Sequence, residues 1–139
     1  MERDSPPAKP GRRQNRPLPF PENPDGKEDR LIQTAQDWIA QHVAQPDVLK
    51  QARQRSGLIP RTFDRRFKSA TGIAPIKFVQ RLRVDLAKDI LTSQPVSIEN
   101  IAGEVGYGDP SSFRRLFTRL VGMTPGAYRK RFGSDTNQS

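Results

Sequence analysis

Residues 101–132 read IAGEVGYGDPSSFRRLFTRLVGMTPGAYRKRF, and residues 56–83 read SGLIPRTFDRRFKSATGIAPIKFVQRLR. The two stretches share one frame at an offset of 50 positions, with matches at Pro60/Pro110, Phe63/Phe113, Arg65/Arg115, Phe67/Phe117, Gly72/Gly122 and Pro75/Pro125. In each copy a glycine, Gly57 or Gly106, stands shortly before the proline that opens a helix, and its freedom to take a positive φ suits a tight turn. The repeat therefore predicts two helix-turn-helix units.

Apolar side chains recur at helical spacing throughout residues 28–133, and no segment there alternates with a period of two. Capping residues, prolines and glycines divide this region into helices at about 28–45, 48–55, 60–71, 75–92, 98–105, 110–121 and 125–132. Asp47 and Ser97 are the expected N-caps of the second and fifth helices. We therefore expect an all-α domain of seven helices, with the first helix-turn-helix at about 47–71, a long linker helix at about 75–92, the second helix-turn-helix at about 97–121 and a last helix at about 125–132.

The two ends of the chain differ from this domain in composition. Residues 1–27 hold seven of the 13 prolines, which disfavours both a regular helix and a buried strand. We expect residues 1–27 to form a disordered arm or linker and residues 134–139 to form a disordered tail.

The net charge is +9, from 24 Lys and Arg against 15 Asp and Glu. Residues 31–133 alone hold 17 basic and eight acidic residues, so the excess belongs to the helical domain and not to a basic tail. It is concentrated in two blocks, Arg61 to Arg83 and Pro110 to Phe132. A concentration of positive charge of this kind favours a polyanionic partner, usually nucleic acid.

Several classes of function are excluded by composition. The chain has no Cys and one His, His42, so disulfides, thiolate catalysis and the usual zinc sites are not expected. No apolar run approaches the length that spans a bilayer, and the N-terminus lacks the apolar region of a signal peptide. We expect no enzyme activity, no metal, no cofactor and no membrane contact, and a cytoplasmic, nucleoid-associated location.

The outward faces of the two repeated helices carry the candidate binding residues. With the Phe pairs turned inward, Arg65 and Arg115 project at the same step, two residues before the second Phe of each pair. A solvated surface does not require this match, whereas an Arg side chain can bond two acceptors of one guanine in the major groove. We therefore predict DNA contact by Arg65 and Arg115.

Residues 101–132 resemble the signature half of the AraC/XylS-type transcription regulators, and residues 56–83 resemble the first helix-turn-helix of the same family. The resemblance covers about residues 31–132. It implies a sequence-specific, double-stranded-DNA-binding regulator whose two recognition helices enter the major groove about one helical turn apart. RNA polymerase is a further candidate partner.

The resemblance also assigns roles to individual positions. Base contacts fall on Arg61, Asp64, Arg65, Ser111, Arg114 and Arg115. Phosphate contacts fall on Thr62, Lys68, Ser112 and Arg119. The stretch from Pro17 through DRLIQTAQDWIAQHVAQP resembles the linker and first helix of members with an amidotransferase-like N-terminal domain. No such domain is present in this sequence, so the Pro-rich arm is expected to be the remnant of an interdomain linker, and a monomer is expected.

Two departures from the family pattern concern the first unit. Ile59 stands where a capping Ser or Thr is usual, so the helix that follows is expected to lack an N-cap. Arg53 stands where a small residue is usual, and Ala52 is expected to take its place through a shift of one residue. Base reading by the first unit is therefore the less secure of the two.

Two alternative functions remain open. One is a truncated interaction module that antagonises a full-length regulator. The other is a non-specific nucleoid or RNA-binding protein, which would be equally basic but would not need paired recognition helices.

Overall fold

The computed structural model describes residues 24–133, and every regular element in them is helical. The helices are α1 (Pro24–Gln41), α2 (Val48–Ser56), α3 (Pro60–Thr71), α4 (Pro75–Ser93), α5 (Ile101–Glu104), α6 (Pro110–Val121) and α7 (Pro125–Phe132). A short 3₁₀ turn, Ile98–Asn100, precedes α5. The prediction of an all-α domain with seven helices is confirmed. The predictions for residues 1–23 and 134–139 lie outside the described residues.

Two hydrophobic cores lie along the chain, one for each repeated unit. The first is built by α1 to α3 and the start of α4, with Ile32, Ile39, Val48, Ala52, Phe63, Phe67 and Val79 among its buried members. The second is built by the rest of α4 together with α5 and α6, with Ala87, Leu91, Ile101, Val105, Phe113 and Phe117 among its buried members. Because α4 supplies side chains to both cores, it joins the two units as a shared helix.

The signals that delimit α3 and α6 act as the repeat predicts. Each helix has a proline in its first turn, where a missing backbone N–H costs nothing. Each ends at a glycine in the left-handed region, Gly72 at φ 85° and Gly122 at φ 92°. The N–H of each glycine donates to the carbonyl four residues earlier, Lys68 at 2.7 Å and Thr118 at 2.8 Å, which satisfies an otherwise free helix end.

Helix α1 differs from its predicted bounds at both ends. It begins at Pro24 instead of residue 28, because a proline is tolerated in the first turn of a helix, so residues 24–27 do not belong to the arm. It ends at Gln41 instead of residue 45, and residues 42–47 form a connection to α2. Backbone carbonyls of this connection accept hydrogen bonds from Arg83 of α4, a long-range contact that local periodicity does not reveal.

Two further local predictions are resolved by the structure. The helix expected at 98–105 is divided into the 3₁₀ turn and α5, and Ser97 caps it as predicted by accepting the Asn100 N–H at 3.2 Å. Asp47 does not cap α2, so that prediction is wrong. Its carboxylate instead accepts a hydrogen bond from the Gln51 side chain at 2.6 Å, a local partner that competes with the backbone.

Candidate nucleic-acid interface

Helix α3 turns its aromatic pair into the first core and leaves a polar face outside. Phe63 and Phe67 are fully buried. Arg61, Arg65 and Lys68 are exposed, and Thr62 and Asp64 are half-buried. All five residues predicted on this helix therefore lie on it at accessible positions. The remaining arginine, Arg66, points elsewhere and forms an ion pair with Glu28 of α1 at 2.6 Å.

Helix α6 repeats this arrangement with no acidic side chain along its length. Phe113, Leu116 and Phe117 are buried in the second core. The predicted site residues on the other faces are exposed, namely Ser111, Arg114, Arg115 and Arg119, while Ser112 is half-buried. A shallow concavity on this side is lined by Arg114, Arg115, Thr118, Arg119 and Thr124. Three guanidinium groups beside a shallow groove suit a phosphate backbone or a base edge.

A short hydrogen-bond chain links the start of α6 to Arg115. Asp109 caps the helix by accepting the Ser112 N–H at 2.9 Å. The Ser112 hydroxyl donates to the same carboxylate oxygen at 2.6 Å, and its oxygen accepts a hydrogen bond from Arg115 Nη2 at 3.2 Å. The two Ser112 hydrogen bonds, with a smaller contribution from the charge of Arg115, lower the pKa of Asp109 below its ordinary value. Arg115 is therefore hydrogen-bonded to the capping residues of α6.

The first recognition helix has no such cap. Ile59 occupies the N-cap position of α3 without a side-chain hydrogen bond, as the sequence predicts, and its side chain is 71% exposed. In the matching place of α6 stands Asp109, which does cap. The free N–H groups at the start of α3 therefore lack the partner that the second unit provides.

Asp64 has a partner that sequence reasoning missed. Its carboxylate accepts two hydrogen bonds from Arg53 of α2, from Nε at 3.0 Å and from Nη2 at 3.1 Å. This fork explains the unusual arginine at position 53, while Ala52 is the small buried residue of α2, as the one-residue shift predicts. The sequence feature that could have revealed this pair is the arginine at position 53, where the family usually has a small residue. Because Arg53 offsets the Asp64 charge, the outer surface of the first unit stays positive.

Within residues 24–133 no group of acidic or imidazole side chains is arranged to hold a metal ion. Nor does this part of the chain contain a helix that is both long and apolar enough to cross a bilayer.

Comparisons with known proteins agree with this geometry. A family model described as a helix-turn-helix domain matches residues 54–131. The transcriptional activator RhaS of Escherichia fergusonii is 31% identical over 118 residues, which cover 85% of this chain and 41% of RhaS. An AraC-like transcription regulator of Streptomyces lividans is 30% identical over 105 residues, which cover 76% of this chain and 34% of that protein.

Solved structures show the same arrangement of helices. The DNA-binding domain of AdpA, a global transcriptional factor crystallised in complex with a target DNA, matches with a TM-score of 0.70 and 30% identity. That match covers 77% of this chain and 95% of the AdpA domain. The chain spans less than half the length of the two curated relatives. With its doubled helix-turn-helix and these relatives, the chain belongs to the AraC/XylS family of transcription regulators.

Proposed function

We propose that this chain is a sequence-specific, double-stranded-DNA-binding transcription regulator that reads two successive major-groove segments with α3 and α6. The observation that carries the proposal is the doubled recognition helix. Each copy buries a Phe pair in its own core and presents arginine at the same outward step, Arg65 or Arg115. Two such faces, one on α3 and one on α6, joined through the shared helix α4, suit the reading of an extended site.

We take the individual roles from the family resemblance, by the position of each residue within the motif. We assign base contacts to Arg61, Asp64, Arg65, Ser111, Arg114 and Arg115, and phosphate contacts to Thr62, Lys68, Ser112 and Arg119. Arginine suits guanine, and the Asp64 carboxylate suits the amino group of cytosine. The second unit is assigned the larger share of specificity, because α6 is capped, carries no acid and has Arg115 already oriented by Ser112.

The relative named a transcriptional activator supports activation as the direction of regulation. We extend the proposal accordingly to contact with RNA polymerase, to a monomeric state for this chain, and to a cytoplasmic, nucleoid-associated location. Transcription in vitro with purified RNA polymerase, on a template that carries the selected site, tests the first point. Sedimentation of the free chain tests the second.

The direct test of DNA reading compares a selected duplex with a random duplex at physiological salt. Specific regulators favour their own site by roughly a thousandfold or more, so we expect a ratio of that order. Equal affinity for the two duplexes would establish the non-specific alternative instead. The double substitution Arg65→Ala/Arg115→Ala should abolish most of the preference, whereas Arg30→Ala/Arg81→Ala, which removes two exposed arginines outside the proposed contacts, serves as a control of matched charge.

The interaction-module alternative makes an opposite prediction. Under it, the Arg65→Ala/Arg115→Ala variant would still inhibit a full-length relative in a transcription assay. Under the proposal, inhibition by competition for the operator is lost together with DNA binding.

A further inference from the structure

The connection between α1 and α2, residues 42–47, lies where the two units meet. Hydrogen bonds from Arg83 of α4 fix the position of this connection. Arg83, which is only 7% exposed, donates from Nε to the Val43 carbonyl at 3.1 Å. Its Nη2 donates to the carbonyls of Gln45 at 2.8 Å and Pro46 at 3.4 Å. A planar, buried guanidinium with three carbonyl acceptors allows this loop little freedom.

The second unit rests directly on the loop that Arg83 holds. Gly106, the turn glycine of the second helix-turn-helix, is buried and lies against the backbone of Ala44. A Cβ at position 106 would lie 2.7 Å from the Ala44 carbonyl carbon and 3.1 Å from its Cα, and it would come still closer to the carbonyl oxygen. Backbone therefore packs on backbone across the junction.

The other turn glycines do not share this contact. Gly57 and Gly122 also have positive φ, at 74° and 92°, but a Cβ added to either would meet nothing within 4 Å. Their glycine is required by the backbone conformation alone. Two constraints favour glycine at position 106. One is the positive φ of 84°, and the other is the close approach of the Ala44 backbone, which leaves no space for a Cβ.

We propose that this junction fixes the separation of α3 and α6, so that Gly106 and Arg83 are positioning residues that set the spacing between the two half-elements of the operator. The inference rests on the proposed two-part DNA reading. Helix α4 alone would connect the units at one place and permit relative rocking. The contact of Gly106 with the Arg83-held loop adds a second connection, and closely packed backbone resists small displacements.

The size of the perturbation can be worked out for Gly106→Ala. Carbon atoms pack at about 3.5 Å or more, so a Cβ at 2.7 Å requires the junction to open by about 0.8 Å. Val105 and Tyr107, on either side of Gly106, pack in the second core, so thermal melting of Gly106→Ala is measured first to establish that this core is kept. In the folded variant, the opened junction should remove the fixed relation between the units.

The experiment measures affinity for duplexes that differ only in the spacer between the half-elements found by selection. Removing or adding one base pair changes the separation by about 3.4 Å, and the wild-type chain should lose about tenfold or more in affinity for either change. Gly106→Ala should bind the original spacing about tenfold more weakly and discriminate among the three spacings by less than about threefold. Affinity for each half-element alone should change by less than about twofold.

Matched variants separate this effect from loss of stability. Gly57→Ala and Gly122→Ala impose the same backbone strain without the contact, and both should keep the wild-type spacing preference. Should Gly106→Ala not fold, Arg83→Lys tests the junction with the charge retained, and it should also flatten the spacing preference. Its control is Arg129→Lys, since Arg129 makes a comparable fork to the carbonyls of Leu91 and Gln94 within the second unit.

The proposal is overturned if Gly106→Ala and Arg83→Lys discriminate among spacings as sharply as the wild-type chain. It is also overturned if the Gly57→Ala and Gly122→Ala controls lose the preference to the same extent. A failure of the proposed function would look different, because the wild-type chain itself would then show no dependence on sequence or spacing.

Discussion

Removal of Arg53 and removal of Asp64, the two partners of one ion pair, should change the affinity for DNA in opposite directions. The pair has no net charge and lies at the edge of the first recognition face, with 30% of the Arg53 side chain and 44% of the Asp64 side chain exposed. Arg53→Ala leaves an unpaired carboxylate beside the DNA, whereas Asp64→Asn leaves an unpaired guanidinium. The double variant restores zero charge.

The expected magnitudes follow from Coulomb's law for an assumed separation of about 6 Å between the Asp64 carboxylate and a DNA phosphate. A carboxylate about 6 Å from a phosphate is repelled by about 0.7 kcal/mol in bulk water and by about 3 kcal/mol at an effective dielectric constant of about 20. Because 44% of the Asp64 side chain is exposed to solvent, a value towards the lower end applies, about 1 kcal/mol or about fivefold in affinity. The effect of the pair on folding stability should be below about 1 kcal/mol, as for other partly exposed ion pairs.

The assay is fluorescence anisotropy with a random duplex and with the selected operator, at several salt concentrations. For the random duplex, Arg53→Ala should weaken binding about fivefold, Asp64→Asn should strengthen it by a similar factor, and the double variant should return to within about twofold of wild type. For the operator, Asp64→Asn should also shift the preferred base at one position from cytosine to adenine, because an Asn side chain matches the adenine edge.

Two results would refute this reasoning. If both single variants change the random-duplex affinity in the same direction, the pair does not face the DNA. If Asp64→Asn leaves every base preference intact, Asp64 is not a base contact. Thermal melting of each variant verifies that the measured protein is folded.

Further predictions concern the starts of the two recognition helices. Arg115→Ala should cost about 1–3 kcal/mol in operator binding and relax one base position, as measured by binding to single-base operator variants, whereas a loss uniform over all sequences would make Arg115 a phosphate contact. Ser112→Ala, which removes the hydroxyl that orients Arg115, should weaken operator binding less than Arg115→Ala does in the same assay. Ile59→Asn should raise the free energy of unfolding by up to about 1.5 kcal/mol, because a cap is gained while little buried area is lost; a lower melting temperature would contradict this. The pKa of Asp109 is lower in the folded than in the unfolded chain, so the ionised carboxylate stabilises the fold at all pH values above about 5 and this stabilisation is lost as the pH falls below about 4. The difference in melting temperature between the wild-type chain and Asp109→Asn should therefore disappear below about pH 4.

Local signals were sufficient to predict the helices of the two repeated units. The prolines that open α3 and α6, the glycines that end them and the spacing of the Phe pairs act within one or two turns of helix, so they are readable in sequence. The outward positions of Arg65 and Arg115 follow from the same spacing. Base contact by these residues stays a prediction.

Features that depend on distant partners were not readable. The connection that follows α1 is bonded by Arg83, which lies about 40 positions away along the chain. The lack of space for a Cβ at Gly106 is due to the backbone of Ala44, and the partner of Arg53 is Asp64 of the next helix. Each of these involves a side chain or glycine whose partner is chosen by packing between helices, and spacing patterns carry no information on that choice.

The central claim is that the two recognition helices read one extended site together. Selection of bound duplexes from a random library tests it most directly, with the wild-type chain at physiological salt. We predict enrichment of a single site of about 15–20 base pairs that contains two half-elements centred about one helical turn apart. Enrichment of one short element alone, or no enrichment over random sequence, would contradict the account.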